Sequence, residues 1–144
     1  MERELIDPTK APWVMLAQAA WRSRTQAHVH GDTKIGAALL TRSGRVFVGC
    51  NVGHRYRSRD VHAEENAITS MIAAGEREFV AIIIVEGREL MTPCGSCMDW
   101  IFNFSGASCP VGYQATKGGP VRVFLARELM PYYPNIERYQ ALLL

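Results

Sequence analysis

An unbroken apolar run, FVAIIIVE at residues 79–86, limits the folds open to this chain more than any other segment does. Every residue of the run except the last is apolar. A strand with one face in water would alternate apolar and polar residues, whereas a strand covered on both faces is apolar throughout. The run therefore predicts a central strand buried between two layers.

The segments around this strand alternate between helical and strand-like patterns. Helices are predicted at 11–24, 60–74, 93–106 and 135–144, with Asp60 as the cap of the second, Gly75 as its stop and Pro93 as the opening residue of the third. Besides 79–86, strands are predicted at 36–41, 45–50, 111–116 and 120–126. The first two form an antiparallel hairpin across the turn RSG, and the last two pair across KGG. The pattern predicts a three-layer α/β/α fold with a mixed central sheet of about five strands.

Composition narrows the function classes. A chain of 144 residues with no repeat or linker is expected to form a single domain, 1–144. The net charge of +2 is too small to favour nucleic acid or a membrane surface as a partner. The acidic N-terminal segment MERELID does not resemble a signal peptide, and the longest apolar stretches are too short to cross a bilayer. A cytoplasmic protein with reduced cysteines is the expectation.

Two short motifs carry candidate chemistry, and each stands where a polar segment meets a predicted helix start. VHAEENAI at 61–68 contains His62 and Glu64, and PCGSC at 93–97 contains Cys94 and Cys97. Helix starts beside strand ends are common ligand sites in α/β sheets. One histidine and two cysteines make three ligands where zinc takes four, so the arrangement predicts a catalytic Zn2+ site with an open position.

A metal site next to Glu64 suggests a role for this residue in proton transfer. A water activated by zinc needs a base to take its proton. A carboxylate one turn into the helix beside His62 can act as that base without being a ligand itself. We therefore expect Glu64 to be the catalytic residue and His62, Cys94 and Cys97 to hold the metal.

The paired motifs His62-Ala63-Glu64 and Pro93-Cys94-Gly95-Ser96-Cys97 resemble the active-site motifs of the cytidine deaminase superfamily. The PCGxC form of the second motif most resembles the cytidine and blasticidin S deaminase branch of this superfamily. IGAALLT at 35–41, GCNV at 49–52 and ELMP at 128–131 resemble further segments of that family. The resemblance covers most of the chain and implies the cytidine deaminase-like fold.

The resemblance implies hydrolytic deamination of a free cytosine nucleoside, a nucleotide or a related amino-substituted heterocycle, with release of ammonia. Glu64 would move protons between the attacking water, the ring nitrogen and the departing amine. The main chain near Ala63 would contact the ring, and Asn51 would hydrogen-bond the sugar. Short members of the family form dimers or tetramers, so a homo-oligomer is expected.

Several positions depart from the family pattern and leave the exact substrate open. Gly53 stands where a glutamate normally grips the ribose, and Thr33 stands where an aromatic residue packs near the base. The loop HRYRSRD supplies Arg55, Arg57 and Arg59 just before the metal ligand. Arginine binds carboxylate and phosphate well, so these residues are candidates for an acidic substrate group, or simply form a solvated loop or subunit contact.

Three alternatives stay open at this point. A nucleic-acid base deaminase would share the motifs but would favour a more basic surface. A pocket for N-glycosidic hydrolysis on the same scaffold is disfavoured by the intact zinc motif. A closed structural zinc site would need a fourth ligand such as Cys109 or His54. Such a site would make the chain a zinc-stabilised, non-enzymatic interaction protein.

Overall fold

A computed structural model describes residues 7–133 of the chain. The helices within these residues are α1 (Trp13–Arg24), α2 (Ala63–Ala73), α3 (Gly95–Phe104) and the short α4 (Ala126–Leu129). The strands are β1 (Gly36–Thr41), β2 (Val46–Cys50), β3 (Phe79–Val85), β4 (Pro110–Gln114) and β5 (Val121–Leu125). None of the helices in this part of the chain has the length and apolarity that a bilayer crossing requires.

The five strands form one mixed sheet in the order β2-β1-β3-β4-β5. The pairs β1–β2, β1–β3 and β4–β5 are antiparallel, and β3 runs parallel to β4. The parallel pair follows from the α3 crossover, because two parallel strands cannot be joined by a tight turn. The predicted hairpins, and the mixed sheet of about five strands, are confirmed.

Apolar side chains cover both faces of β3, which accounts for its uniformly apolar sequence. On one face, Ala81, Ile83 and Val85 pack with residues of α1 such as Leu16 and Ala20. On the opposite face, a larger core joins the sheet to α2 and α3; its members include Leu39, Ile68, Met71, Ile82, Ile84, Met98 and Ile101. The three-layer α/β/α architecture is confirmed.

All three predicted helix starts within the described residues lie two residues too early, and α1 begins at Trp13 rather than at residue 11. His62, not Asp60, is the N-cap of α2. The Asp60 carboxylate instead accepts hydrogen bonds from the His54 backbone N–H and from the Arg57 side chain. Pro93 does not open α3, because Cys94 is the N-cap and the helix begins at Gly95. In both α2 and α3 the polypeptide stays extended up to a predicted ligand residue, which therefore occupies the cap position.

The C-terminal boundary of α2 agrees with the prediction: Gly75 has a φ of +93°. This left-handed conformation suits glycine and ends the helix. The predicted helix at 135–144 lies outside the described residues. The prediction of a single domain over 1–144 therefore stays a prediction.

Close packing between β2 and α2 fixes the helix that carries half of the candidate site. A Cβ atom on Gly49 of β2 would lie 2.3 Å from the Ala63 carbonyl oxygen and 2.5 Å from the Ala67 nitrogen. Only glycine allows the first turn of α2 to lie this close to the sheet. The N-terminus of α2 is thereby held at the edge where the β3–α3 loop also arrives.

Candidate active site

The structure brings His62, Cys94 and Cys97 together from two helix starts. His62 and Cys94 are the N-cap residues of α2 and α3, and Cys97 lies one turn further into α3. The Nδ1 atom of His62 lies 3.3 Å from Cys97 Sγ and 3.4 Å from Cys94 Sγ. All three ligand atoms lie within 4.8 Å of one another.

This donor set fits zinc. In tetrahedral zinc sites with Zn–S bonds of about 2.3 Å and Zn–N bonds of about 2.0–2.1 Å, the nitrogen and sulfur atoms stand roughly 3.6 Å apart. The observed separations are close to that value. His62 and Cys94 are exposed whereas Cys97 is buried, so the group is open on one side. Three ligands and an open side are the pattern of catalytic rather than structural zinc sites.

The fourth ligand that a closed site would need is not supplied by the two residues considered for it. Cys109 is buried, and its thiol lies against the Pro110 carbonyl. The His54 ring stacks on Tyr56, and its Nδ1 accepts a hydrogen bond from the Tyr56 backbone N–H. Within residues 7–133, neither side chain belongs to the His62 group.

Glu64 lies on the floor of the site, in the first turn of α2. Its residue is only 4% exposed, and it lines the same cavity as His62 and Cys94. Burial raises the pKa of this carboxyl, and a hydrogen bond with the Cys97 thiol partly opposes that rise. Burial also raises the pKa of the Cys97 thiol, together with the neighbouring Glu64 charge. A buried carboxyl beside the ligand group is well suited to accept and return a proton.

The candidate site opens into a cavity of about 290 Å³, close to the lower end of the range for small-molecule sites. Its inner wall includes His62, Glu64 and Cys94. The other residues that line it come from the segments before β1, after β2 and before α3: Val29, His30, Gly31, Asp32, Thr33, Ile35, Asn51, Val52, Gly53, Arg57, Asp60, Val61, Met91 and Thr92.

Asn51 lines this cavity, and its side chain also ties two segments together. Its Oδ1 atom accepts a hydrogen bond from the Ile35 backbone N–H at 2.9 Å. Its Nδ2 atom donates to the Thr33 carbonyl at 2.8 Å. An amide side chain has two donors and two acceptor lone pairs, so Asn51 keeps one donor and one lone pair for a ligand. Its expected contact with a sugar is compatible with this geometry and stays a prediction.

The other substrate-binding candidate is Ala63, and unlike Asn51 it does not contribute a side chain to the cavity wall. Ala63 is fully buried beneath the site and does not line the cavity with its side chain. Its chain neighbours His62 and Glu64 both do. Any contact of Ala63 with a ligand would have to come from its main chain at the start of α2, as the resemblance implies.

The arginine-rich loop contributes one residue to the cavity wall. Arg57 lines the cavity and forms an ion pair with Asp60, with 2.8 Å between Nε and Oδ2. The pKa of Asp60 lies below its usual range because the His54 backbone N–H and the Arg57 side chain donate hydrogen bonds to it; the charges of Arg57 and His30 add to the effect. Arg59 lies over the Tyr56 ring, and neither Arg55 nor Arg59 lines this cavity.

Sequence reasoning missed six cavity residues, namely Val29, His30, Gly31, Asp32, Met91 and Thr92. They lie in irregular segments whose course is set by contacts distant in sequence, and no spacing rule connects them to the two motifs. The one available signal was the HVH pattern at 28–30. It placed a polar side chain on either side of Val29 but did not indicate what they face.

Residues 13–113 match the family described as "Cytidine and deoxycytidylate deaminase zinc-binding region". A cytidine deaminase of Sporosarcina psychrophila is 32% identical over 112 residues, which cover 76% of this chain and 82% of that protein. A probable cytidine deaminase of Dictyostelium discoideum is 34% identical over 89 residues, or 60% of each chain.

Solved structures agree with these sequence relationships. The 1.6 Å crystal structure of cytidine deaminase from Burkholderia pseudomallei superposes with a TM-score of 0.74 at 34% identity, covering 81% of this chain and 94% of that one. The cytidine deaminase of Mycobacterium tuberculosis superposes with a TM-score of 0.76 at 26% identity, covering 88% and 99%. The structural similarity therefore covers more than four-fifths of this chain.

Proposed function

This chain belongs to the cytidine and deoxycytidylate deaminase family and is a zinc-dependent hydrolytic deaminase; we propose that its substrate is a free cytosine nucleoside, converted with water to the uracil nucleoside and ammonia. The observation that carries the proposal is the His62, Cys94 and Cys97 group beside buried Glu64 at the floor of a nucleoside-sized cavity. The relatives named as cytidine deaminases support this choice of substrate.

His62, Cys94 and Cys97 would hold the zinc ion, which when bound supplies Lewis-acid activation of water. The Glu64 carboxylate accepts a proton from the attacking water and delivers it to the ring nitrogen of the cytosine. It then carries the second proton to the departing amine, which leaves as ammonia. Burial raises the pKa of the Glu64 carboxyl above its usual range, which favours its role as a proton carrier.

The walls of the cavity would orient the substrate. Asn51 offers its remaining donor and lone pair to a sugar hydroxyl, while the α2 start at Ala63 presents main-chain groups to the ring. Arg57 is already paired with Asp60, so an acidic substrate group would have to share or displace that pairing. We therefore favour an uncharged nucleoside over a nucleotide, and keep contacts of Arg55, Arg57 and Arg59 with an acidic group as the second choice.

A nucleic-acid base deaminase is the weaker candidate. A net charge of +2 gives little of the long-range attraction that phosphate backbones require. The small-molecule character of the named relatives points the same way.

Two further proposals concern the protein as a whole. A cytoplasmic location is supported by the four cysteines, which are all free, and by ligand thiols that must stay reduced to bind zinc. A homo-oligomer, either a dimer or a tetramer, is supported by the family resemblance. Light scattering on the purified protein tests it, and a monomeric mass would overturn it.

Ammonia release by the zinc-loaded protein tests the proposed function. The panel contains cytosine, cytidine, deoxycytidine, their monophosphates, blasticidin S and a cytosine-containing oligonucleotide. We expect the nucleosides to be the best substrates. A preference for a monophosphate would move the assignment to the acidic-group alternative, and activity on the oligonucleotide alone would overturn the free-nucleoside proposal.

The paired variants Glu64→Gln and Glu65→Gln test the mechanism. Glu65 is the adjacent residue on α2 and does not line the cavity, so it is a matched control. We expect Glu64→Gln to lose about 10²- to 10⁴-fold in kcat, the usual loss for an acid–base group, with zinc content unchanged. The Glu65 variant should keep its kcat. Full activity of the Glu64 variant would contradict the mechanism.

A further inference from the structure

We propose that His30 is a specificity-determining residue of this site, whose imidazole hydrogen-bonds a sugar hydroxyl of the nucleoside and so distinguishes nucleoside from free base. The inference rests on the proposed function and deepens it. His30 lines the cavity but has no part in the mechanism described above.

Two isolated β-bridges fix the distance between the segment that contains His28 and His30 and the segment that leads to His62. Val52 pairs in parallel with His28 on one side and antiparallel with Val61 on the other. Val61 directly precedes the ligand His62. Adjacent extended segments lie about 4.8 Å apart, so the His28 segment and the Val61 segment are separated by roughly two such spacings, or about 10 Å. A ligand whose ring reaches the metal would therefore present its ring substituent toward the His30 segment.

The ring of His30 lies against Gly53, the residue that follows Val52. A Cβ atom on Gly53 would lie 3.0 Å from His30 Cδ2, 3.3 Å from the His28 carbonyl oxygen and 3.4 Å from the His30 nitrogen. Even the smallest side chain at position 53 would press on the imidazole. Because position 53 has no side chain, the imidazole of His30 provides the polar surface at this part of the cavity wall.

The charges around His30 balance one another. Asp60 opposes Gly53 across the antiparallel bridge, and its carboxylate forms an ion pair with Arg57 close enough to His30 for a weak electrostatic effect. The cavity wall also contains Asp32. This part of the wall therefore contains two carboxylates, one guanidinium and one imidazole. Its net charge is close to zero or slightly negative. Such a wall favours an uncharged polyol over a phosphate.

A neutral imidazole has one donor and one acceptor nitrogen, and a hydroxyl group can use either. Asn51, on the same wall, keeps one donor and one lone pair after its two main-chain hydrogen bonds. Together the two side chains can bind adjacent hydroxyls of a sugar. Free cytosine has no hydroxyl to offer, so it would leave His30 without a partner.

The variants His30→Phe and His30→Gln separate hydrogen bonding from packing, because the first keeps a ring and the second keeps a donor and an acceptor. Glu65→Gln is the control, since Glu65 does not line the cavity. We expect His30→Phe to raise the KM for cytidine by about 3- to 10-fold, the usual effect of losing one hydrogen bond, with little change in kcat. KM for cytosine should not change, and His30→Gln should recover part of the loss for cytidine.

Gly53→Ala provides an independent test, because its methyl group displaces the imidazole without removing it. It should raise the KM for cytidine in the same direction as His30→Phe and add little when the two are combined. An unchanged KM for cytidine in His30→Phe, or an equal rise for cytosine, would overturn the inference.

Product binding separates failure of this inference from failure of the proposed function. We would measure protection of the zinc-loaded protein against thermal unfolding by uridine and by uracil. The parent protein should be protected more by uridine, and His30→Phe should lose that difference while responding to uracil as before. Ammonia release that fails on every cytosine compound, with this binding difference intact, would overturn the proposed function alone. Equal protection by uridine and uracil in the parent protein would overturn the role of His30.

Discussion

Cys97 differs from the other two ligand residues in being buried, and this makes it the most sensitive position of the metal group. Its thiol faces both His62 and Glu64 inside the first turn of α3. The raised pKa of the thiol means that its negative form depends on the positive charge of a bound metal. The residue should therefore be needed for zinc binding and should have no acceptable oxygen substitute.

Replacing Cys97 with serine tests that dependence. We expect Cys97→Ser to lose most of its zinc on dialysis, because a serine hydroxyl is a poor ligand for a site that selects thiolates. Cys50→Ser is the control, since Cys50 lies on β2 outside the ligand group. Metal analysis of both dialysed proteins gives the answer. Equal zinc content in the two variants would show that the ion is held elsewhere.

The thiols should also differ in reactivity. Cys94 is exposed, whereas Cys109 is 4% exposed and burial raises its pKa to about 12. Because the thiolate is the reactive form, an alkylating reagent near neutral pH should modify Cys94 of the metal-free protein and leave Cys109 intact. Zinc should protect Cys94. Mass spectrometry of the alkylated protein measures this, and rapid labelling of Cys109 in the folded protein would contradict the described burial.

At the residue level, the chemistry of the site was predictable and its specificity was not. His62, Glu64, Cys94 and Cys97 lie in two compact motifs whose spacing reflects helix geometry, so local sequence carries the information. His30 reaches the cavity only because Val52 pairs with both His28 and Val61. Contacts of that kind depend on tertiary structure, which no local pattern contains.

At the level of elements, the site depends on two helix starts held at fixed distances from the sheet. Both ligand cap residues have extended backbone: ψ is 155° at His62 and 171° at Cys94. The predicted cap Asp60 lies two residues before the observed cap His62, and the predicted opening residue Pro93 lies two residues before the observed start at Gly95. Standard capping preferences favour aspartate and an opening proline. Here the cap position is occupied by a proposed metal ligand, His62 or Cys94, in place of a residue with a strong capping preference.

Gly49→Ala tests how far the position of α2 depends on the sheet. The added methyl would lie 2.3 Å from the Ala63 carbonyl oxygen, so α2 must shift outward with His62 and Glu64. We expect a loss of about 1–3 kcal/mol in the free energy of unfolding, typical of overpacking, together with weaker zinc binding.

Urea denaturation and zinc titration give both quantities for this variant. Gly87→Ala is the control, because a Cβ atom there would meet nothing within 4 Å. Parent-like stability and zinc affinity in Gly49→Ala would show that α2 can move without cost. The same loss in Gly87→Ala would show that the effect is not specific to the β2–α2 contact.

At the scale of the whole molecule, the two apolar cores lie on opposite faces of the sheet and do not include the ligand histidine. Cys97 is buried beside the larger core, but most of that core is built from aliphatic residues of the sheet, α2 and α3. Burial of apolar area, the main source of stability, is therefore largely independent of the metal. Composition and strand pattern were sufficient to predict this architecture because it follows from burying β3 on both sides.

Zinc removal should accordingly destabilise the protein without unfolding it. A ligand that binds only the folded state at about 100 times its Kd adds about 2.7 kcal/mol. For a chain of this size such a change corresponds to a Tm shift of about 5–10 °C. Scanning calorimetry with and without a chelator measures the shift, and Cys97→Ser should show little response to added zinc. A chelated protein that is unfolded at 25 °C would instead be a zinc-stabilised scaffold, in which the metal is structural. A cooperative transition at the lower Tm would show that the fold forms without the metal, as expected for a catalytic zinc ion.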